Sequence, residues 1–202
     1  MGRRGGYALN RALDIAIAGT GLVVTCPLLA AGALAVKLED GGPVLYRQTR
    51  VGKNGVDFEL LKLRTMVVGA ERQGAGYAVD RGDPRITRVG RVLRRLSIDE
   101  LPQLWNVVRG DMSAIGPRPT LRYQVDAYDE RQRHRLDVKP GITGWAQIHG
   151  RAALPWAERI ELDLWYVRHR SWKTDVLILL RTPLALFGGT YRGEAGGWRP
   201  PA

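Results

Sequence analysis

From Ile15 to Val36 the chain runs for 22 residues without a charge, "IAIAGTGLVVTCPLLAAGALAV", and this stretch restricts the fold more than any other. As a straight helix it measures roughly 33 Å, enough to cross a hydrocarbon core of about 30 Å. A soluble helix seldom stays apolar on every side for so long, because its outer face must meet water. A secretory signal is the competing reading, since Arg3, Arg4 and Arg11 lead in and Ala33-Leu34-Ala35 resembles a cleavage site. The run exceeds the usual ~7–15 residue apolar region of such a signal, and Pro27 sits at its centre.

Pro27 carries the topological argument. A proline inside a helix removes one backbone hydrogen bond and costs about 3 kcal/mol, so a kink or break is expected at Cys26-Pro27. Both flanks are basic: the leading arginines on one side, and Lys37, Arg47, Arg50 and Lys53 on the other. Basic flanks tend to stay cytoplasmic. The pattern therefore predicts a re-entrant helix over 11–38 that enters and leaves by one leaflet, each arm reaching roughly 15–18 Å.

A length of 202 residues allows one domain with a proper core. That domain is expected over 1–190, with 39–190 forming a cytoplasmic and interfacial part and 191–202 a flexible tail. Thirty-one basic residues against 20 acidic ones, a net charge of +11 and a pI near 10.4 call for an anionic partner. Nucleic acid, an acidic membrane surface and a phosphorylated substrate all satisfy that requirement. The single cysteine, Cys26, excludes an intramolecular disulfide and a cysteine-rich zinc site. His134, His149 and His169 are too scattered for a histidine metal site, and a reducing compartment facing the cytoplasm fits best.

The remaining pattern reads as an α+β fold, mostly helical. "VLYRQTR" and "VDFELLKLRTM" flank "VGKNG", whose Asn54-Gly55 signals a β-hairpin. Strand alternation places Lys62 and Arg64 on one face, which by itself reads as a solvated sheet surface. A polar, glycine-containing loop is expected over 71–84. In "ITRVGRVLRRL" Ile86, Val89, Leu93 and Leu96 share one helical face, while Arg88, Arg91 and Arg95 recur on another beside Arg94. A second helix follows from about Asp99 to Val108. In the last third, Trp156, Trp165, Tyr166 and Trp172 interleave with Arg159, Arg168, Arg170 and Lys173, ahead of the apolar "DVLILLRTPLALF". Interfacial helices look like this, and so do core helices; beside the re-entrant run, amphipathic interfacial helices in membrane contact are expected for at least part of it.

Asp99 and Glu100 stand side by side just after the arginine-rich helix. Ser97-Ile98-Asp99-Glu100 matches a capping box, with Ser97 as N-cap, and on these residues alone capping is the preferred reading. Catalysis is compatible with it. The upstream arginines neutralise phosphates, and opposite charge is expected to keep a neighbouring carboxylate ionised. An ionised aspartate coordinates Mg²⁺ or attacks phosphorus to form an acyl phosphate. Asp111 offers another carboxylate downstream, and Gly116-Pro117-Arg118-Pro119 presents one arginine on a rigid turn. The collection suits phosphoryl transfer on a diphosphate.

In "RALDIAIA", the proline-broken run, "LKLRTM", "LSIDELPQLWNVVRGDMSAIGPRP", "KPGITGWAQIHGR" and "ELDLWYV", the chain resembles the bacterial monotopic phosphoglycosyl transferases from about Asn10 to Phe187. The resemblance implies a re-entrant membrane helix, a cytoplasmic active site at the inner membrane and dependence on Mg²⁺. It implies transfer of a sugar 1-phosphate from a UDP-sugar to polyprenyl phosphate, with release of UMP. Asp99 is then the nucleophile and Glu100 its partner, both near the metal. Arg118, Arg94, Lys62 and Arg64 hold phosphate or uridine groups, with Asp111 and Asp163 as further candidates. Anionic lipid of the inner leaflet is an implied partner, and a second copy of the chain stays open as another. Family members commonly carry Ser-Pro where this chain has Cys26-Pro27, and a thiol bonds back to a helix less well than a hydroxyl. Thr25 is placed to compensate. The chain also lacks the four spanning helices and extra domain of some members, as a minimal catalytic core would.

Two other classes compete. A nucleic-acid binder explains the charge and lets Arg88–Leu104 pass for a helix-turn-helix, but it leaves the apolar run and the acidic pair unexplained. A membrane-anchored scaffold needs Asp99-Glu100 only as a cap. The donor sugar is not legible in these residues.

Overall fold

The computed structural model describes residues 4–73, 82–150 and 154–187. Most of the loop expected over 71–84 and the whole of the 191–202 tail lie outside them. A long helix, α1 (Arg4–Asp40), leads into an antiparallel hairpin of β1 (Leu45–Val51) and β2 (Asp57–Leu63). Next come α2 (Arg88–Arg95), a single 3-10 turn (Ile98–Glu100), α3 (Gln103–Arg109) and β3 (Ser113–Ile115). Two short helices, α4 (Arg122–Asp126) and α5 (Glu130–Arg133), precede β4 (Gly141–Thr143) and α6 (Trp145–Ile148). The last described elements are α7 (Trp156–His169) and α8 (Trp172–Phe187). The mostly helical α+β reading holds.

The hairpin forms where it was expected. Asn54 takes the left-handed conformation (φ 57°) that an Asn-Gly turn requires, and Leu45 pairs with Leu63 at the open end. The short β3 and β4 pair in parallel, Ser113 against Gly141 and Ile115 against Thr143.

One stripe of α1 seats on the rest of the chain along almost the whole helix. Arg11 donates to the carbonyls of Val107 (2.5 Å) and Val108 (2.6 Å), which end α3. Asp14, buried, accepts from the Ser113 hydroxyl and the Ala114 amide, both at 2.8 Å. Ala18 packs with Leu60, Val107 and Met112, whereas Leu29, Ala33 and Val36 pack with Leu63, Leu93 and Ile98. At the far end Glu39 accepts from the amides of Arg88 (2.7 Å) and Val89 (3.2 Å), and Asp40 pairs with Arg64. These positions recur every three or four residues, as one helical face must. Leu13, Ile15, Val23, Val24, Leu34 and Leu38 are exposed on the other faces. The stretch Arg11–Asp40 is long and apolar enough to cross a membrane by length and composition.

No interruption of the helix occurs at Cys26-Pro27. Helix α1 continues from Arg4 to Asp40 with Pro27 inside it. Ala18 before the proline and Leu29, Ala33 and Val36 after it hold the helix against the globular part on both sides of the lost hydrogen bond. Thr25 donates its hydroxyl to the Gly21 carbonyl at 2.7 Å, the back-bond that a serine beside the proline would otherwise supply.

Helix α2 is capped twice, by Thr87 accepting from the Gly90 amide (2.9 Å) and by Glu39 from α1. Gly90 lies against β2's exit: a Cβ there would fall 2.1 Å from the Thr65 carbonyl oxygen. Ile86, Val89 and Leu93 turn inward as expected. Leu96 instead is 59 % exposed, because the chain has left the helix and turned away from α1 by that point.

Candidate active site

Ser97 is not the N-cap that its spacing suggests. It sits in the left-handed region (φ 55°) and makes no capping bond, which for a serine stores strain of about 1–2 kcal/mol. The reversal at Ser97 lets a 3-10 turn, not an α-helix, carry Ile98, Asp99 and Glu100, and α3 begins only at Gln103. Ile98 is fixed in the core shared by α1, α2 and β2. The acidic pair is thereby held between α2 and the hairpin.

The two carboxylates have opposite surroundings. Glu100 accepts from Lys62 Nζ at 3.1 Å and from Arg118 Nη2 at 2.5 Å through the same Oε1. Burial alone would raise its pKa, but the charges and hydrogen bonds of Arg118 and Lys62 hold it well below the usual carboxylate range. Asp99 is buried, at 7 % exposure, yet its carboxylate takes no hydrogen bond from any described residue. Burial pushes its pKa up, and Glu100 adds to this, against the pull of Lys62, Arg94 and Arg118. The expectation that the arginines would dominate at Asp99 is thus overturned: desolvation is the larger effect.

Lys62 and Arg64, expected on one face, part company. Lys62 points to Glu100, and burial lowers its pKa despite that partner. Arg64 lies just beyond β2 and turns to Asp40, with both guanidinium nitrogens at 2.5 Å from the carboxylate. It also donates to the Pro43 carbonyl. Arg64 therefore clamps the end of α1 and leaves the site. Arg94, from the last turn of α2, lies close enough to lower the Asp99 pKa.

Asp111 is not brought to the pair either. It pairs with Arg109 (3.4 Å) and accepts from Asn106 (3.3 Å), whose amide bridges to Leu61 and Glu59 of β2. Asp163 is sealed in the interior against Arg135 Nε at 2.7 Å. Asp163 supports the framework from the interior, whereas Asp111 keeps 22 % of its side chain exposed.

Arg118 is presented outward, with 47 % of its side chain exposed, on a segment whose main chain is held from several sides. The turn leans on Gly141, where a Cβ would fall 2.0 Å from the Gly116 nitrogen, so no larger residue fits. Sequence reasoning missed Arg50 and Arg159, which crowd the same region. Burial and then the Arg118 charge push the Arg50 pKa down to about 10, and the same two causes lower that of Arg159. Their signal was charge alone, which 31 basic residues dilute beyond use. Positive charge converging without matching carboxylates is a site for a polyanion.

Among the described residues no group of three or more metal-binding side chains occurs, so from them an Mg²⁺ would take only one or two carboxylates. That donor set fits the ion's habit of taking one or two carboxylates and completing its shell with substrate phosphates and water.

The chain matches the family model of bacterial sugar transferases over residues 6–189. It is 45% identical over 187 residues to a UDP-N-acetylgalactosamine-undecaprenyl-phosphate N-acetylgalactosaminephosphotransferase of Aeromonas hydrophila, covering 90% of this chain and 44% of that protein. It is 46% identical over 181 residues to a UDP-glucose:undecaprenyl-phosphate glucose-1-phosphate transferase of Caulobacter vibrioides, covering 86% and 67% respectively. An uncharacterized sugar transferase of Bacillus subtilis is 45% identical over 174 residues, covering 86% of this chain and 85% of its own length. With nearly its whole length matched in this way, the chain belongs to the bacterial sugar transferase family.

Proposed function

We propose that the protein transfers a sugar 1-phosphate from a UDP-sugar to undecaprenyl phosphate, releasing UMP and starting the assembly of a membrane-linked glycan. The observation that carries this reading is the asymmetry of the acidic pair: Asp99 buried and without a hydrogen-bond donor among the described residues, Glu100 doubly engaged by Lys62 and Arg118. A carboxylate that has given up most of its hydration is a stronger nucleophile than a fully solvated one. An Asp99 oxygen attacks the phosphorus that carries the sugar. The bond from that phosphorus to the bridging oxygen breaks, and UMP leaves with the electron pair. Lys62, Arg118 and the neighbouring arginines neutralise the diphosphate. An oxygen of the lipid phosphate then attacks the same phosphorus, and the Asp99 carboxylate departs.

Asp99 and Glu100 are the residues that would hold Mg²⁺, together with the donor phosphates; the ion supplies charge neutralisation at the diphosphate. Relatives of nearly equal identity carry names with different sugars, N-acetylgalactosamine and glucose, so the reading stops at a UDP-sugar.

The same reading places the protein on the inner membrane with both ends of α1 on the cytoplasmic face. What supports this is that Arg11 and Asp14 at one end, and Glu39 and Asp40 at the other, dock on one globular body. A spanning helix would separate those ends by about 30 Å of hydrocarbon. The outer face of α1 enters a single leaflet, joined by the exposed Trp172, Leu180 and Leu184 of α8. Arg88, Arg91 and Arg95 of α2 face anionic lipid.

Incubation with UDP-sugar and Mg²⁺, without lipid, tests the chemistry. The wild-type protein is expected to release UMP in an amount limited by enzyme and to gain the mass of a phosphosugar. Asp99→Asn should fold, bind membranes and show neither. An active Asp99→Asn protein ends the covalent reading. For topology, cysteines placed near Lys37 and near Arg11 should both label only from the cytoplasmic side, and labelling of either from the opposite side overturns it.

A further inference from the structure

The segment Pro117–Thr120 has every main-chain carbonyl taken by a donor from elsewhere in the chain. Gly141 N donates to Pro117 O at 2.8 Å, and Val51 N donates to Thr120 O at 2.9 Å. Between them, Arg135 Nη2 donates to Arg118 O at 2.6 Å and Arg50 Nη1 to Pro119 O at 3.2 Å. Two arginines thus spend guanidinium groups on backbone oxygens at a phosphate-binding site. Arg135 is 5 % exposed and is itself held on three more sides, by Asp163 (2.7 Å), Tyr128 OH (2.9 Å) and Thr120 Oγ1 (3.2 Å). A buried guanidinium with four partners has little freedom, so the oxygen it holds is fixed as well.

We infer that Arg135, neutralised by Asp163 and assisted by Arg50, is a positioning residue that sets the place of Arg118 against Glu100 and the incoming phosphate. This rests on the reading of Arg118 as a phosphate-binding residue. It also gives Asp163 a role: the carboxylate compensates the charge that reaches the turn. Lysine at position 135 keeps the charge beside Asp163 but has no planar fork to reach the Arg118 carbonyl at the same time.

A double-mutant cycle on the membrane-bound full chain tests the inference, with UMP release at varied UDP-sugar as the readout. In an otherwise wild-type protein Arg135→Lys should lower kcat about 10-fold or more, as small misplacements of a binding group do. In an Arg118→Ala background the same change should cost less than about 2-fold, because nothing remains to be positioned. Arg50→Lys, at a half-buried site that tolerates exchange better, should show the same coupling with a smaller loss. Equal losses in both backgrounds for both variants would mean that the arginines serve stability alone, and would overturn the inference. Unchanged kinetics for Arg135→Lys and Arg50→Lys would overturn it too. A silent Arg118→Ala would instead remove the reading of Arg118 on which the inference stands, so the two failures are distinguishable.

Discussion

Two arginine–carboxylate pairs lie at either end of the Pro117–Thr120 turn's influence, and they differ in almost every respect. Arg118 and Glu100 have side chains 47% and 18% exposed, and Glu100 shares one oxygen with Lys62. Arg135 and Asp163 are 5% and 2% exposed, and one Asp163 oxygen has no partner among the described residues. On the proposed reading, the open pair can exchange its partner for a ligand, because its side chains are within reach of solvent. The sealed pair cannot, and removing one member leaves a charge stranded in the interior. Similar chemistry therefore serves recognition in one place and rigidity in the other, and accessibility is what separates them.

Four experiments break or sharpen that contrast. The largest expected effect is on activity: Glu100→Gln should slow turnover by about 100-fold or more, since two charged hydrogen bonds of about 1.5–3 kcal/mol each are weakened. It should still form the phosphosugar adduct on Asp99 if its main work lies in the lipid half-reaction, and its loss of stability should stay below that of Asp163→Ala, because solvent reaches this pair. A Glu100→Gln protein that melts early but turns over normally would merge the two pairs into one class.

Asp163→Ala should do the reverse. Leaving Arg135 buried and unpaired is expected to destabilise the fold by about 3–5 kcal/mol. Thermal unfolding in detergent checks this, and an unchanged melting temperature would show that the sealed pair carries no structural weight.

Arg118→Ala comes next, with a loss of roughly 10- to 150-fold in kcat/KM. Its effect on stability should stay within about 1 kcal/mol, as for other partly exposed pairs. Unchanged kinetics would take Arg118 out of the site.

The smallest effect belongs to the clamp at the end of α1. The Arg64 hydrogen bond holds the Asp40 pKa at about 2, below its ordinary 3.8. A depressed carboxylate contributes stability that is fully present above its unfolded pKa and is lost as pH falls through the folded one. Wild-type protein should therefore lose the Asp40 contribution only between about pH 3.8 and 2, and Asp40→Asn should lack that step. Arg64→Ala should leave transfer kinetics near wild type. A large kinetic loss would return Arg64 to the phosphate-binding set.

Much of this was legible in the residues. Composition and the uncharged run pointed to a membrane-associated helix, Asn54-Gly55 to the hairpin, and the ordered motifs to the family. Hairpin and helix signals are local, set by backbone dihedrals and by which neighbours share a face, so a single sequence carries them. The acidic pair also stood out in the sequence, but the capping box its spacing suggested does not form. Ser97 caps nothing, and its left-handed backbone follows from the way α2 must turn to bury Ile98 against α1 and β2.

What only the tertiary structure decided is which charges meet. Lys62 and Arg64 are two residues apart and identical by alternation, yet one reaches Glu100 and the other Asp40 because β2 ends between them. Asp163 and Arg135 come together across 28 residues, and Asp14 reaches Ser113 across 99. Such pairings depend on how elements pack. So does the balance of desolvation against attraction, which raised the pKa of Asp99 and lowered that of its neighbour Glu100. The sequence by itself determined that a carboxylate pair stands beside arginines; burial, which no local pattern encodes, decided which carboxylate was desolvated and which was paired.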